Sequence, residues 1–294
     1  MHRTAPPSGA HRRRFVSNMT WYHDCYQRTG WVPMAPLTRP LKVGDVAHIR
    51  HGRFQTLLNL ADVHLQEAPA SREIGLDSAE WRFGRDVQQT LCETWRGVGD
   101  DGEAVASTRQ VLEFAQPGAF LFHAGAVSAR LMVNWARIRD DVTLKLTQLH
   151  YGLRDAYVVT GVARASDWAL AVAGRAEAHV DMSAATVSAD RYFLLGDASA
   201  SAAKCHGIAA YERADGQDAC FFRAKKLVLS DATVDRYLGQ LLEGSANVQP
   251  HAVAAWLDGE LLGLAKNNDL TLNTSIGFFS WADLTLDDVE RLAA

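Results

Sequence analysis

From Trp81 to Trp95 the chain alternates. Trp81, Phe83, Val87, Leu91 and Trp95 share one parity, while Arg82, Asp86, Gln88 and Thr90 share the other. Successive side chains of a strand point to opposite faces, so period two is a strand signature. The turn-like "GVGDDGE" follows, and "AVASTRQVLEFA" runs back. Residues 81–115 are therefore predicted to form a long amphipathic hairpin with one apolar and one polar face. Positions 87, 91 and 95 also fit a helical step of four; the alternation favours strand.

The same reading places other elements. "NMTWYHDCYQRTGWVPM" is a short helix candidate ending near Gly30, where glycine supplies the left-handed residue that follows many helices. A Pro-punctuated extended segment leads to "VAHIRHGRFQTLLNL", a predicted hairpin turning at His51-Gly52. "GAFLFHAG" reads as a buried strand. Leu131, Trp135, Ile138, Val142, Leu146 and Leu149 step by three and four, predicting an amphipathic helix with Asn134 as cap and Gly152 as stop. In "RDAYVVTGVARASDWALAVAG" two apolar runs, Tyr157–Ala163 and Trp168–Ala173, read as a buried strand pair linked by "RASD".

Residues 181–219, rich in Ala, Ser and Asp, read as loop, and "CFFRAKKLVLS" as a further strand. Beyond Asp231, Val234, Tyr237, Leu238, Leu241 and Leu242 fall on one helical face. "HAVAAWLDGELLGLAKN" is helical or strand-like. "TLDDVERLAA" closes the chain as a helix with capping-box spacing from Thr285 to Asp288. The expected fold class is α+β: a twisted, mostly antiparallel sheet with flanking helices and a helical C-terminal segment. The expected organisation is a disordered basic tail (1–18), an α+β body (19–230) and a C-terminal appendage (231–294).

Composition narrows the class. At 294 residues and 48% hydrophobic, the chain can bury a sizeable core. A net charge of −4 argues against a dedicated nucleic-acid binder. Cys25, Cys92, Cys205 and Cys220 are too dispersed for a disulfide framework or structural zinc, which points to reduced thiols in a cytoplasm. The N-terminus carries Arg12, Arg13 and Arg14 without an apolar run behind them, so it is not a secretory signal, and Met19 is an alternative start. No apolar run is long enough for a transmembrane helix.

Candidate chemistry is sparse. Gly97, Gly99 and Gly102 spell GxGxxG, but Asp100, Asp101 and Glu103 would repel a phosphate, and a hairpin turn fits better. His48 and His51 lie three apart on a hairpin and so face opposite ways; His23 lies two residues from Cys25. Adjacent Cys205 and His206 lack the convergent geometry of a thiol hydrolase. The paired aspartates at 100–101, 140–141 and 287–288 read as turn, helix-start and cap residues. Arg12 to Arg14 read as a solvated tail, or else as attraction to acidic lipids or nucleic acid. Lys225 and Lys226 read as edge or surface charges, and Trp31, Trp95, Trp135 and Trp168 as core anchors. No catalytic residue, metal or cofactor is expected.

The order of helix, Gly-aromatic, Pro-rich segment, hairpin, long amphipathic hairpin, helix and "AYVVTGVARA" resembles the pore-forming N-terminal module of the gasdermins. "RTGWVPMAPLTRPLKVGD" is similar to the opening of bacterial members, Tyr157-Val158-Val159-Thr160 to a "YVVTEV"-like strand, and "FFRAKKLVLS" to a late strand. The resemblance covers about residues 19–230. It implies a non-enzymatic cytoplasmic effector of cell death and antiviral defence. Such an effector moves to the membrane, meets acidic lipids and oligomerises into a pore once an activating protease releases residues 231–294. It further implies Cys25 as the lipidation candidate, with Arg12, Arg13, Arg14, Trp81, Phe83, Leu91 and Trp95 as membrane contacts. Gly161 stands where the family has an acidic residue, and residues 231–294 are longer than the family's inhibitory segment. The alternatives are a soluble α+β binding or scaffold protein, and an enzyme with an unrecognised site.

Overall fold

The strand that organises the molecule contains the two apolar runs around Tyr157 and Trp168. The computed structural model describes residues 20–50, 53–77, 81–98, 104–148, 156–185, 193–196, 201–214, 216–233, 235, 277 and 279–293. A helix α1 over 20–29 comes first. It is followed by β1 (Val32–Pro33), β2 (Asp45–Arg50), β3 (Arg53–Asn59), β4 (Ser71–Gly75), β5 (Arg82–Arg85), β6 (Val87–Val98), β7 (Ala104–Phe114), β8 (Phe120–Met132) and α2 (Trp135–Gln148). Then come β9 (Ala156–Ala173), β10 (Ala178–Ala184), α3 (Phe193–Gly196), β11 (Ser201–His206), β12 (Ile208–Arg213), β13 (Ala219–Leu229), β14 (Phe279–Asp283) and α4 (Leu286–Ala293). The fold is α+β, with antiparallel pairing throughout.

β9 is one strand of 18 residues, not a pair. One edge pairs with β2 at Ala156–Val158 and with β8 from Gly161 to Val172; the other pairs with β13 and then β12. Both faces of its first half are covered, which explains an apolar run without alternation. Tyr157 and Val159 join the main core with Trp21, Phe54 and Phe222, while Ala156 and Val158 meet Ile138, Val142 and Leu146 of α2.

The "RASD" segment has a different job from a turn. On one side of this level Ala163 and Ala165 of β9 and Val127 and Ala129 of β8, all odd-numbered, join the main core; on the other side the even-numbered Trp168, Leu170 and Val172 and Phe120, Phe122 and Ala124 do. Both strands spend one residue at the same level, Ser166 and Ala126, and Ala126 sits at φ 39. The pleat inverts there while the register is kept.

Beyond that point the sheet bends. β6, β7, β10 and β11 form a second four-stranded sheet in the order β11-β10-β7-β6. Each is the chain continuation of β5, β8, β9 or β12, which run side by side in the main sheet. The joints lie along one line, with positive φ at Asp86 (55), Gly118 (82), Glu177 (58) and Gly207 (69). Hydrogen bonds carry across it: Ala115 N to Asp86 O (2.9 Å), Gly118 N to Ala173 O (2.9 Å) and Gly174 N to Gly207 O (2.9 Å). Two long hairpins therefore share one corner.

Several sequence expectations change. Residues 81–115 are strand, but not one amphipathic unit: the chain bends at Asp86, and a bulge shifts the register between Gln89 and Leu91. Val87 and Gln89 thus share a face with Phe114 and Leu112, while Leu91 and Trp95 turn to the other face with Val111 and Ser107. Leu131 belongs to β8, and α2 starts at Trp135. The Asn134 carbonyl accepts from Arg137 and Ile138, but its side chain is engaged elsewhere, with Ala70 N, Glu67 and the Ala68 carbonyl. Asp140 and Asp141 lie inside α2, where Asp141 accepts from Gln66 N. Part of 181–219 is strand: the end of β10, with buried Met182 and Ala184, then β11 and β12. The α1 helix ends as expected, with Gly30 at φ 67 donating to the Tyr26 carbonyl.

Candidate functional site: a C-terminal latch on the central strands

The end of the chain is built into the sheet. β14 pairs with β13 from Lys225↔Asp283 to Leu229↔Phe279. α4 then packs Val289 and Leu292 into the main core beside Leu284. Its first turn is the capping box read from sequence. Thr285 N and Oγ1 donate to Asp288 Oδ2 at 3.1 and 2.9 Å, and Asp288 N donates back to Thr285 Oγ1 at 3.4 Å.

The second oxygen of that carboxylate faces the sheet. Asp288 Oδ1 accepts from Tyr157 Oη at 2.6 Å and from Lys226 Nζ at 2.8 Å, with Asp288 only 1% exposed. Burial by itself raises the Asp288 carboxyl pKa, but the Lys226, Tyr157 and Thr285 donors outweigh it and hold the group below its ordinary value. Tyr26 of α1 donates to the Leu284 carbonyl at 2.6 Å, and Lys225 pairs with Asp283 at 2.6 Å. On the other side Trp281 stands edge-on to Trp135 at 5.0 Å and donates to Thr143 at 2.8 Å. α1, α2, β9 and β13 are thus all fastened to residues 279–293. Lys225 and Lys226, expected as edge or surface charges, are two of the fasteners.

The sequence-predicted residues scatter over this frame. Arg12, Arg13 and Arg14 lie outside the described residues. Cys25 on α1 is fully buried, and burial pushes its thiol pKa well up; its Sγ lies 3.8 Å from Thr29 Oγ1. Trp81 and Phe83 are buried under α1 and β13. Trp21 stacks on Phe83 at 5.7 Å, and Trp81 meets Phe221 edge-on at 4.8 Å. Asp24 holds Arg85 in a two-pronged ion pair that fixes α1 to β5. Leu91 is half-buried and Trp95 is 56% exposed, so Trp95 is no core anchor; Trp31 and Trp168 are.

The weaker motifs resolve plainly. Gly97 lies near the end of β6, and Val98 pairs with Ala104 of β7, so a strand rather than a helix follows the GxGxxG run. His48 is buried in β2; His51 lies outside the described residues, and His23 lies 3.8 Å from Asp24 on α1. Cys205 and His206 fall at successive positions of β11, opposite Val180 and His179, on opposite faces. Among the described residues no group of three His, Cys, Asp or Glu is placed to hold a metal ion, and no helix is long and apolar enough to cross a membrane.

No family model matches the chain, and no curated protein matches it. Among solved structures it has a weak resemblance to a bacterial gasdermin from Bradyrhizobium tropiciagri, at 12% identity and a TM-score of 0.29, over 74% of this chain and 88% of that one.

Proposed function

We propose that the chain is a gasdermin-like cytoplasmic effector whose two long hairpins enter a membrane as parts of an oligomeric barrel after the C-terminal segment is released. The observation that carries this reading is the shared corner: all four strands bend on one line and keep their order across it. A bilayer-crossing strand needs about 9–11 residues. β6 has 12 and β7 has 11 before any unbending. A closed barrel satisfies every backbone group within the bilayer, which an open hairpin cannot do. In β10 the buried Ala178, Val180, Met182 and Ala184 alternate with His179, Asp181 and Ser183, the dyad pattern of a barrel strand. Trp95 and Val98 are exposed towards the free end of β6. Acidic lipids, further copies of the chain and an activating protease are the partners. Cys25 as an acylated residue and the Arg12–Arg14 cluster as a lipid contact belong to the same proposal.

The latch supplies the control. Residues 279–293 hold β9 and β13, so their removal leaves the β13 edge unpaired and uncovers Leu227 and Tyr157. The test places a site-specific protease site between residues 236 and 276 and follows dye release from phosphatidylglycerol vesicles. Leakage on cleavage is expected, and none from the intact chain. Cleaved protein that separates from its C-terminal fragment yet leaks nothing sinks the proposal.

One observation favours the competing reading, a soluble binding or scaffold protein. The Arg109–Asp181 ion pair, at 2.7 Å, lies on the outer face of the bent sheet, where Glu93 and Glu113 also sit. Such a face suits water. The same assay separates the two.

A further inference from the structure

A groove of about 560 Å³ runs past the pleat inversion at Ala126 and Ser166, with Leu41 and Val162 of the main core in its lining. That volume lies in the range of small-molecule sites. Its floor is cross-strand. Arg130 opposes Val162 and Ser128 opposes Arg164, which makes Arg130 and Arg164 diagonal neighbours on one face. Such a diagonal spans about 7–8 Å between backbones, close enough for two guanidinium forks to converge on one anion. Lys42, Glu73 and Asp218 also line the groove. Three cations therefore face two carboxylates.

The carboxylates do not occupy the arginines fully. Glu73 reaches Arg130 only at 3.5 Å, with both side chains more than half exposed. Arg164 makes one long contact, 3.5 Å to the Leu41 carbonyl. Ser128 and Ser166 place hydroxyls on the same floor. Ala126, a non-glycine residue held at φ 39, lines the groove, and backbone held in that region at a cost of about 1–3 kcal/mol gathers at ligand sites.

We propose that this groove binds a phosphoryl group, carried by a small soluble phosphate ester or by a lipid headgroup. Paired arginine forks with nearby hydroxyls match the several acceptor oxygens of a phosphoryl anion better than they match a lone carboxylate. The site is independent of the pore reading, because it requires neither the latch nor the hairpins to move.

The test uses the full chain and calorimetric titration with glycerol 3-phosphate, with glycerol as the neutral control. A parallel sedimentation assay uses phosphatidylcholine vesicles with and without phosphatidic acid. Binding to at least one phosphoryl probe is expected, weakened about tenfold or more in Arg164→Gln and in Arg130→Gln, and less in Arg164→Lys. Melting curves verify that each variant is folded. Binding of glycerol 3-phosphate assigns a soluble ester; binding of phosphatidic acid vesicles alone, lost in the variants, assigns a lipid headgroup. No binding of either probe, or equal binding by folded Arg130→Gln/Arg164→Gln, overturns the site. Neither outcome bears on vesicle leakage.

Discussion

The Tyr157 hydroxyl on the central strand donates a 2.6 Å hydrogen bond to the Asp288 carboxylate on the last helix, across 131 positions of sequence. The same oxygen accepts from Lys226, so one buried carboxylate joins α4 to two neighbouring strands. Apolar contacts from Val289 and Leu292 glue the helix down without regard to direction. The carboxylate fixes its position.

Replacing Asp288 by Ala is expected to lower stability at neutral pH by about 1–3 kcal/mol, since the hydrogen bonds from Tyr157, Lys226 and Thr285 to a buried charge are lost. Urea unfolding measures it. The pH dependence follows in sign. The Asp288 carboxyl is held below its ordinary value in the folded chain, so its contribution is complete above the unfolded value of about 4. It is then lost as pH falls through the lower folded value. Asp288→Asn should therefore flatten the acid limb of the melting temperature against pH. An unchanged limb would show that Asp288 does not carry the latch.

Gly161 has a packing reason to lack a side chain. A Cβ there would come within 2.8 Å of Leu131 Cδ2 and 3.1 Å of the Trp31 ring, over which the Arg223 guanidinium also lies at 4.5 Å. Gly161→Ala is expected to destabilise the chain by about 1–3 kcal/mol through overpacking. A urea midpoint equal to the parent's would mean that Trp31 yields freely.

How much of this was legible follows from the range of each signal. α1, β8, β13 and the α4 capping box were readable because caps and apolar periodicity are local. The single strand β9 was misread at "RASD" because polar residues inside a strand look like a turn, and only the matching irregularity at Ala126 on β8 explains them. The single apolar face read over 81–115 failed for a similar reason: a one-residue bulge at Thr90 reverses every later side chain. The latch was half visible. Thr285 and Asp288 showed as a cap, but nothing local to Tyr157 or Lys226 announces a partner so far along the chain. The groove was invisible, since Arg130 and Arg164 meet only through strand register.

The corner makes its own prediction at Asp86. Its backbone is left-handed at φ 55, and its carboxylate accepts from Gln116 Nε2. Asp tolerates this conformation better than a β-branched residue, and Gly adopts it freely. Asp86→Val should therefore destabilise the chain by about 1–2 kcal/mol more than Asp86→Gly does, read from paired denaturation curves. Equal effects would show that the bend does not depend on the conformation of this residue.

The cysteines provide a direct probe of whether α1 must move before the Cys25 thiol can be reached. Cys25 is fully buried among Trp21, Trp31 and their neighbours, and burial raises its thiol pKa, so the thiolate is scarce as well as inaccessible. Cys220 is also buried, its thiol pushed up to about 11 by burial. Cys92 on the edge strand β6 is exposed. A water-soluble maleimide applied to the intact native chain should label Cys92 first, with Cys25 modified only on unfolding, as peptide mass mapping would resolve. After cleavage between residues 236 and 276, α1 loses the Tyr26–Leu284 hydrogen bond only if the fragment departs. Labelling of Cys25 should then accelerate in step with loss of that fragment. If Cys25 reacts as fast as Cys92 in the intact chain, α1 opens without the latch, and access to Cys25 does not depend on release of residues 279–293.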